Sequence, residues 1–180
     1  MPDKKIDTMR KDFETPADVI RIIKDNLQPY ESAIALGGGK LGLERFVLEG
    51  NKATSYEYSD NGLEWAKSYG FAYKKTDLMR CKKIEANLVV AFDVLEHLPK
   101  GRSLKLIDMA KCKQFVVFMP INEQITDESQ SESANGTLMK HISSWTEGDF
   151  LELGFKTWVS EKYHKPENGG TDAIIAVLSV

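Results

Sequence analysis

Apolar residues recur along this chain in two rhythms, and the alternation between them predicts the architecture. Val19, Ile20, Ile23 and Leu27 fall at helical spacing behind Thr15-Pro16-Ala17-Asp18. Thr15 is a capping residue type, Pro16 suits the first helical position, and Asp18 favours the positive end of a helix. Pro29 closes the segment. Ala33-Ile34-Ala35-Leu36 is then a short, wholly apolar run of the kind found in strands covered on both faces. It ends in Gly37-Gly38-Gly39. The same rhythm predicts a helix over 43–49, a strand over 53–58, a helix over 63–68 stopped by Gly70, and a strand over 71–75. Asn87-Leu88-Val89-Val90-Ala91-Phe92 predicts a fourth strand, 104–110 a helix, and 114–119 a fifth strand stopped at Pro120. A helix over 146–153 with a Gly154 stop precedes two final strands, 156–160 and 172–180. Pro166-Glu167-Asn168-Gly169-Gly170 lies between them as a turn that permits antiparallel pairing.

Strands alternating with helices imply right-handed crossovers and a doubly wound α/β fold. The expected sheet has seven strands, mostly parallel, with an antiparallel final strand. Residues 121–145 break the rhythm. They are rich in Ser, Glu, Asn and Gln, exceed an ordinary connection, and follow a strand's carboxyl end, so they are a candidate lid loop. Residues 1–14 are polar and expected to be loosely held. The 180 residues fit a single domain, 1–180, with no internal repeat.

Composition narrows the function classes. With 42% hydrophobic and 28% charged residues the chain is an ordinary globular one, and a net charge of −3 creates no field that recruits nucleic acid or anionic membrane. The densest basic stretch, Lys74-Lys75 through Arg80, Lys82 and Lys83, is interrupted by acids and lacks an aromatic ladder, so it is expected to be a solvated surface. Cys81 and Cys112 have no metal-ligand or redox spacing and are expected to be reduced thiols in or near the core. No apolar signal core opens the chain, and the apolar run at 115–121 falls far short of the ~20 residues that span a bilayer. A cytoplasmic protein without membrane insertion is expected.

The sharpest chemistry lies at the first strand–turn–helix. Gly37, Gly39 and Gly42 follow a strand and open a helix. Glycines allow close approach of a ligand to the backbone, and free N–H groups there favour a carboxylate or phosphate. Twenty residues after Gly37, Glu57 ends the second strand, where a carboxylate can accept hydrogen bonds from the hydroxyls of an adenosine ribose. Asp77 follows the third strand on the same rim, where an adenine amino group can be met. These features alone describe a nucleotide or nucleoside site and fit a nicotinamide cofactor equally well.

The fourth strand runs into Phe92-Asp93-Val94-Leu95-Glu96-His97-Leu98-Pro99, and here the chain resembles the class I, Rossmann-like S-adenosylmethionine-dependent methyltransferases, as a small member of that superfamily. The resemblance covers roughly residues 33–180. It includes the glycine loop, Glu57, Asp77, Phe115-Val116-Val117-Phe118-Met119-Pro120 as the fifth strand, the stretch from Thr146-Glu147-Gly148-Asp149-Phe150 to Gly154-Phe155, and the closing antiparallel strand pair. It implies S-adenosylmethionine as cofactor, held by Gly37, Gly38, Gly39, Glu57, Tyr58, Asp77, Leu78, Phe92 and Asp93. The chain departs from the family pattern at Ala35, where many relatives carry an acid facing the cofactor's amino group, at Leu41 in place of a third loop glycine, and at Asn87 in place of a common acid.

Methyl transfer from a sulfonium chiefly requires alignment and exclusion of water, with a base where the acceptor is a hydroxyl. His97 and His141 are the candidate catalytic residues; Glu96 and Trp145 are candidate substrate-binding residues. His97 and Glu96 alternatively only shape the pocket. His141-Ile142-Ser143-Ser144-Trp145 ends the candidate lid, and the alternative is that Ser144 caps the next helix while Trp145 fixes it to the core. His164, near a turn, is assigned no role. No metal ligands are assigned. The absence of an Asn/Asp-Pro-Pro-aromatic tetrad after Phe92 speaks against methylation of DNA bases, so a small-molecule acceptor is expected and nucleic acid is disfavoured. A non-catalytic nucleoside- or partner-binding relative and a nicotinamide-dependent oxidoreductase are the competing functions.

Overall fold

The computed structural model describes residues 10–125, 140–164 and 170–180. Its first helix, α1 (Pro16–Asn26), starts on a reciprocal capping box: Asp18 N–H donates to the Thr15 hydroxyl, and Thr15 N–H donates to the Asp18 carboxylate. Val19, Ile22 and Ile23 are its buried face, while Ile20 and Leu27 pack at the margin. Strand β1 (Ala33–Leu36) is buried throughout. The helix expected over 43–49 contracts to α2 (Glu44–Val47), because Leu48 is extended and turns the chain into a 3-10 turn at Gly50–Lys52. β2 (Ala53–Glu57), α3 (Asn61–Ser68) and β3 (Ala72–Lys75) follow as the pattern predicts.

Beyond β3, the chain adds β4 (Ile84–Glu85), β5 (Leu88–Phe92), α4 (Lys100–Met109), β6 (Ala110–Lys111), β7 (Gln114–Ile121), α5 (Glu147–Glu152), β8 (Lys156–His164) and β9 (Thr171–Ser179). The seven-stranded sheet has the order β3-β2-β1-β5-β7-β9-β8. Its first five members are parallel, and β9 is antiparallel to both β7 and β8. This is the doubly wound, mostly parallel α/β sheet with an antiparallel final strand that the sequence predicts. The chain winds outward from β1 in one direction and from β5 in the other. The carboxyl ends of these two neighbours are therefore the switch point at which open α/β sheets hold ligands in a crevice. Two large apolar clusters, one on each face of the sheet, form the core. β4 and β6 pair as a separate two-stranded parallel sheet, too short to leave a sequence pattern.

Two expectations are corrected. Pro120 does not stop the fifth strand, which continues to Ile121. The Phe118 carbonyl faces β5 and accepts Asp93 N–H at 2.8 Å. Alternation points the Pro120 nitrogen the same way, beyond the last β5–β7 pair, Phe92–Phe118, where a missing donor costs nothing. Residues 10–14 are not loosely held: Lys11 bridges to Ser160, Asp12 N–H donates to the Val159 carbonyl at 2.9 Å, and Phe13 is buried edge-on against Phe118 and Tyr163. A lone aromatic in a polar run has no periodicity to betray it. Residues 1–9 lie outside the described residues. Cys81 and Cys112 are half-buried free thiols, and no described helix is long and apolar enough to cross a membrane.

Candidate active site

The carboxyl ends of the parallel strands bring residues 37–39, Glu57, Asp77 and residues 93–97 to one rim. At the end of β1 the chain turns sharply through Gly37 and Gly39, both at positive φ. A side chain at either would be strained, and a Cβ on Gly37 would also meet Val94, 2.8 Å away, in the turn after β5. Gly38 lies against Leu41 and Ser55, leaving no room for a Cβ. Leu41, the departure from a third glycine, itself sits at φ 52, the left-handed conformation a glycine would favour, with its side chain fully buried. Packing in the core thus compensates a conformation that leucine adopts only at a cost.

Glu57 meets this loop directly. Gly39 N–H donates to Glu57 Oε2 at 2.8 Å, while Oε1 accepts Tyr58 N–H at 2.7 Å and Ser59 N–H at 2.8 Å. A carboxylate offers about four acceptor positions, so one remains, on Oε2. Gly62, in the first turn of α3, packs on the Glu57 methylenes so closely that a Cβ there would lie 2.3 Å from Glu57 Cγ. Tyr58 is exposed. Asp77 begins the next rim turn by accepting Met79 N–H at 2.8 Å. The carbonyl of Leu78, whose side chain lies at the core boundary, is held by Arg102 Nε at 2.8 Å. Phe92 is buried in the core, so its side chain does not face the rim.

Acidic groups dominate the crevice. Asp93, at φ 51, keeps its side chain open to solvent although protein surrounds it on most sides. That surrounding protein pushes its carboxyl up to about 6, opposed by His141 and reinforced by Glu123. Glu96 is only 1% exposed, and neither carboxylate oxygen has a hydrogen-bond partner among the described residues. Burial raises it well above the ordinary carboxylate range, and Asp93 adds to the effect. Glu44, the first residue of α2, is 3% exposed and pushed up to about 8 by burial, with Asp93 and Glu57 reinforcing the shift. No local pattern marks it, because a glutamate opening a helix is ordinarily a solvated one.

His97 and His141 are brought together, their ring centroids 4.8 Å apart. His97 Nδ1 pairs with the Lys140 carbonyl at 3.1 Å, and His141 Nδ1 pairs with Glu123 Oε2 at 2.5 Å. Burial lowers the His97 value, so its neutral form is favoured. Both ends of the 121–145 segment are fixed here. Ile142 and Ser143 N–H groups donate to the Glu96 carbonyl at 2.8 and 3.1 Å, Asn122 N–H to Trp145 at 2.8 Å, and the Ser144 hydroxyl to Glu123 at 2.7 Å. Residues 126–139, the middle of the candidate lid, lie outside the described residues. Trp145 is not brought to the acceptor side. It is 1% exposed, stacks on Phe150 and donates to Ser143 Oγ at 3.0 Å, which makes it the anchor of α5. Thr146, not Ser144, caps that helix.

No protein-family model and no curated protein sequence matches the chain. Solved structures do. It is similar to the methyltransferase domain of a bacterial CtHen1, at 16% identity over 92% of this chain and 97% of that one, with a TM-score of 0.57. A Thermotoga maritima methyltransferase described as a possible histamine N-methyltransferase matches at 13% identity, 87% and 86% coverage, and a TM-score of 0.60. Magnesium protoporphyrin IX methyltransferase from Synechocystis, solved with bound S-adenosylmethionine, matches at 14% identity, 92% and 78% coverage, and a TM-score of 0.57. The fold is therefore that of the class I S-adenosylmethionine-dependent methyltransferases.

Proposed function

We propose that this chain is a cytoplasmic enzyme that transfers a methyl group from S-adenosylmethionine to a small-molecule acceptor. The observation that carries the reading is the hydrogen bond from Gly39 to Glu57, which joins the glycine loop and the ribose-type carboxylate at one point of the crevice, against the turn that bears Asp93. The lining fits the cofactor: an adenosine with a cationic tail meets a carboxylate with one acceptor position left and a wall of acids. The two half-buried thiols suit a reducing compartment.

Gly37, Gly38, Gly39, Glu57 and Asp77 would hold the nucleoside. With Ala35 in place of an acid, we assign Glu44 to the cofactor's ammonium group, whose charge would favour ionisation of a carboxyl that burial keeps protonated. When bound, the cofactor supplies a methyl carbon activated by a neighbouring sulfonium. Glu57 Oε2 can take one ribose hydroxyl as it stands; a second requires Gly39 N–H to release it. His97 and His141, with Glu96 and Asp93, form the side from which an acceptor is oriented and its proton removed.

The acids also weigh against a nicotinamide cofactor. A pyrophosphate needs free N–H groups at a helix start, whereas here Gly39 N–H is taken, α2 is four residues long, and Glu44 occupies its first position. Calorimetric titration with S-adenosylmethionine, S-adenosylhomocysteine and NAD tests the reading. The two sulfur nucleosides should bind in the micromolar range or tighter and NAD should not. Glu57→Ala should cost the former about 1–3 kcal/mol of affinity. NAD binding in their place, or unaltered affinity in a folded Glu57→Ala variant, overturns it.

A further inference from the structure

We propose that Glu96, His97 and His141 form a site for one divalent transition-metal ion at the acceptor side of the crevice. One ligand atom from each of the three lies within 4.8 Å of the others. Glu96 Oε1 and His97 Nε2 are 3.9 Å apart, wider than the ~3.4 Å that two tetrahedral ligand atoms at about 2.1 Å from one ion keep, so a small side-chain rotation closes them on an ion. The geometry is specific in three ways.

First, Glu96 buries a carboxylate with no hydrogen-bond partner among the described residues. An isolated buried carboxylate is costly, and natural proteins pair such groups or use them to bind metal. A cation satisfies both oxygens at once.

Second, each imidazole is held through Nδ1 by an oxygen acceptor, His97 by the Lys140 carbonyl and His141 by the Glu123 carboxylate. This arrangement places the proton on Nδ1 and the ring's lone pair on Nε2. It is the supporting shell that metal-bound histidines ordinarily carry.

Third, the backbone locks the three ligands to one another. Ile142 and Ser143 donate to the Glu96 carbonyl, so the His141 segment is stitched to the Glu96–His97 turn by the main chain itself. Two imidazoles and one carboxylate favour a transition-metal ion such as Zn2+, and after it the harder Mn2+, over Mg2+ or Ca2+, which prefer oxygen alone. Three protein ligands leave coordination positions for water or substrate, the mark of a reactive rather than structural site.

The binding site stands independently of the proposed methyl transfer; its role rests on that reading. In that role the ion binds an acceptor hydroxyl and makes it acidic. The O–H proton leaves to solvent and the oxygen forms a bond to the methyl carbon. The carbon–sulfur bond breaks with its electron pair remaining on sulfur. The histidines are then ligands, and the base role assigned to them from sequence passes to the metal-bound oxygen.

The test is isothermal titration of the chelator-treated full chain with MnCl2, ZnCl2 and MgCl2, with Mn2+ spectra from paramagnetic resonance as a second readout. One equivalent of Mn2+ or Zn2+ should bind at least about tenfold more tightly than Mg2+. Glu96→Gln and His141→Ala, with circular dichroism like the parent's, should abolish that equivalent. Glu123→Gln, which removes only the support of His141, should weaken it by about 10–100-fold. No uptake at about 1 mM Mn2+ or Zn2+, or uptake unchanged in the Glu96 and His141 variants, overturns the site. Titration with S-adenosylhomocysteine in excess chelator reports on the cofactor reading separately, so failure of either is recognisable on its own.

Discussion

Glu44 occupies the first position of α2, and its carboxyl is carried from the ordinary range up to about 8 by burial. A carboxyl raised in the folded state contributes stability that is complete below its unfolded value, near 4.5, and is lost as the pH climbs through about 8. Glu44→Gln should therefore match the parent's stability near pH 4.5 and exceed it increasingly up to pH 8, on the order of 4 kcal/mol, before the gain levels off. Denaturant unfolding across this range measures it, and a gain that does not vary with pH contradicts the burial. The same variant should bind S-adenosylhomocysteine more weakly if Glu44 meets the ammonium group. A residue that weakens the apo protein while strengthening its complex is the usual compromise of a functional site.

At the scale of elements, the rim is positioned by helices and turns rather than by the strands alone. α3 presses Gly62 against the Glu57 side chain, leaving it directed at Gly39. Gly62→Ala inserts a methyl at an overlapping distance into a helix that tolerates alanine well, so the helix persists and Glu57 moves. We expect a loss of S-adenosylhomocysteine affinity of about tenfold or more, with only a modest change in stability. Parent-like calorimetric affinity would show that Glu57's direction is unimportant. Arg102 does comparable work from α4, clamping the Leu78 and Cys81 carbonyls of the turn after Asp77. The 121–145 connection is likewise an element of the site: its two ends are bonded to each other and to the Glu96 turn, which delivers His141.

Across the whole molecule, a segment far from the rim in sequence closes the sheet. Residues 10–13 run beside β8, and Phe13 drops into the core between Phe118 and Tyr163. Phe13→Ala should cost about 3–5 kcal/mol in denaturant unfolding, the loss of a buried aromatic, although the sequence around it resembles a disposable terminus. A cost under about 1 kcal/mol would return the segment to the loose state its polarity suggests.

What the chain determines locally was legible beforehand. The order of the main strands and helices, the Thr15 helix start, and the glycine turn with its acid twenty residues on each rest on local periodicity, capping and turn chemistry, whereas the segment from Asp93 to His97 was legible only through its resemblance to a methyltransferase family. What tertiary structure alone decided is which of these groups meet and which lose their water. The same kind of local pattern left Trp145 and Phe13 uncommitted, and the sheet buried both. It left His97 and His141 far apart, and the backbone bonds to Glu96 joined them. It gave Glu44 no role and Glu96 only a place beside the acceptor, until packing from distant strands stripped their hydration and raised both carboxyls. Burial and pairing are sums over the whole fold, so no window of sequence contains them.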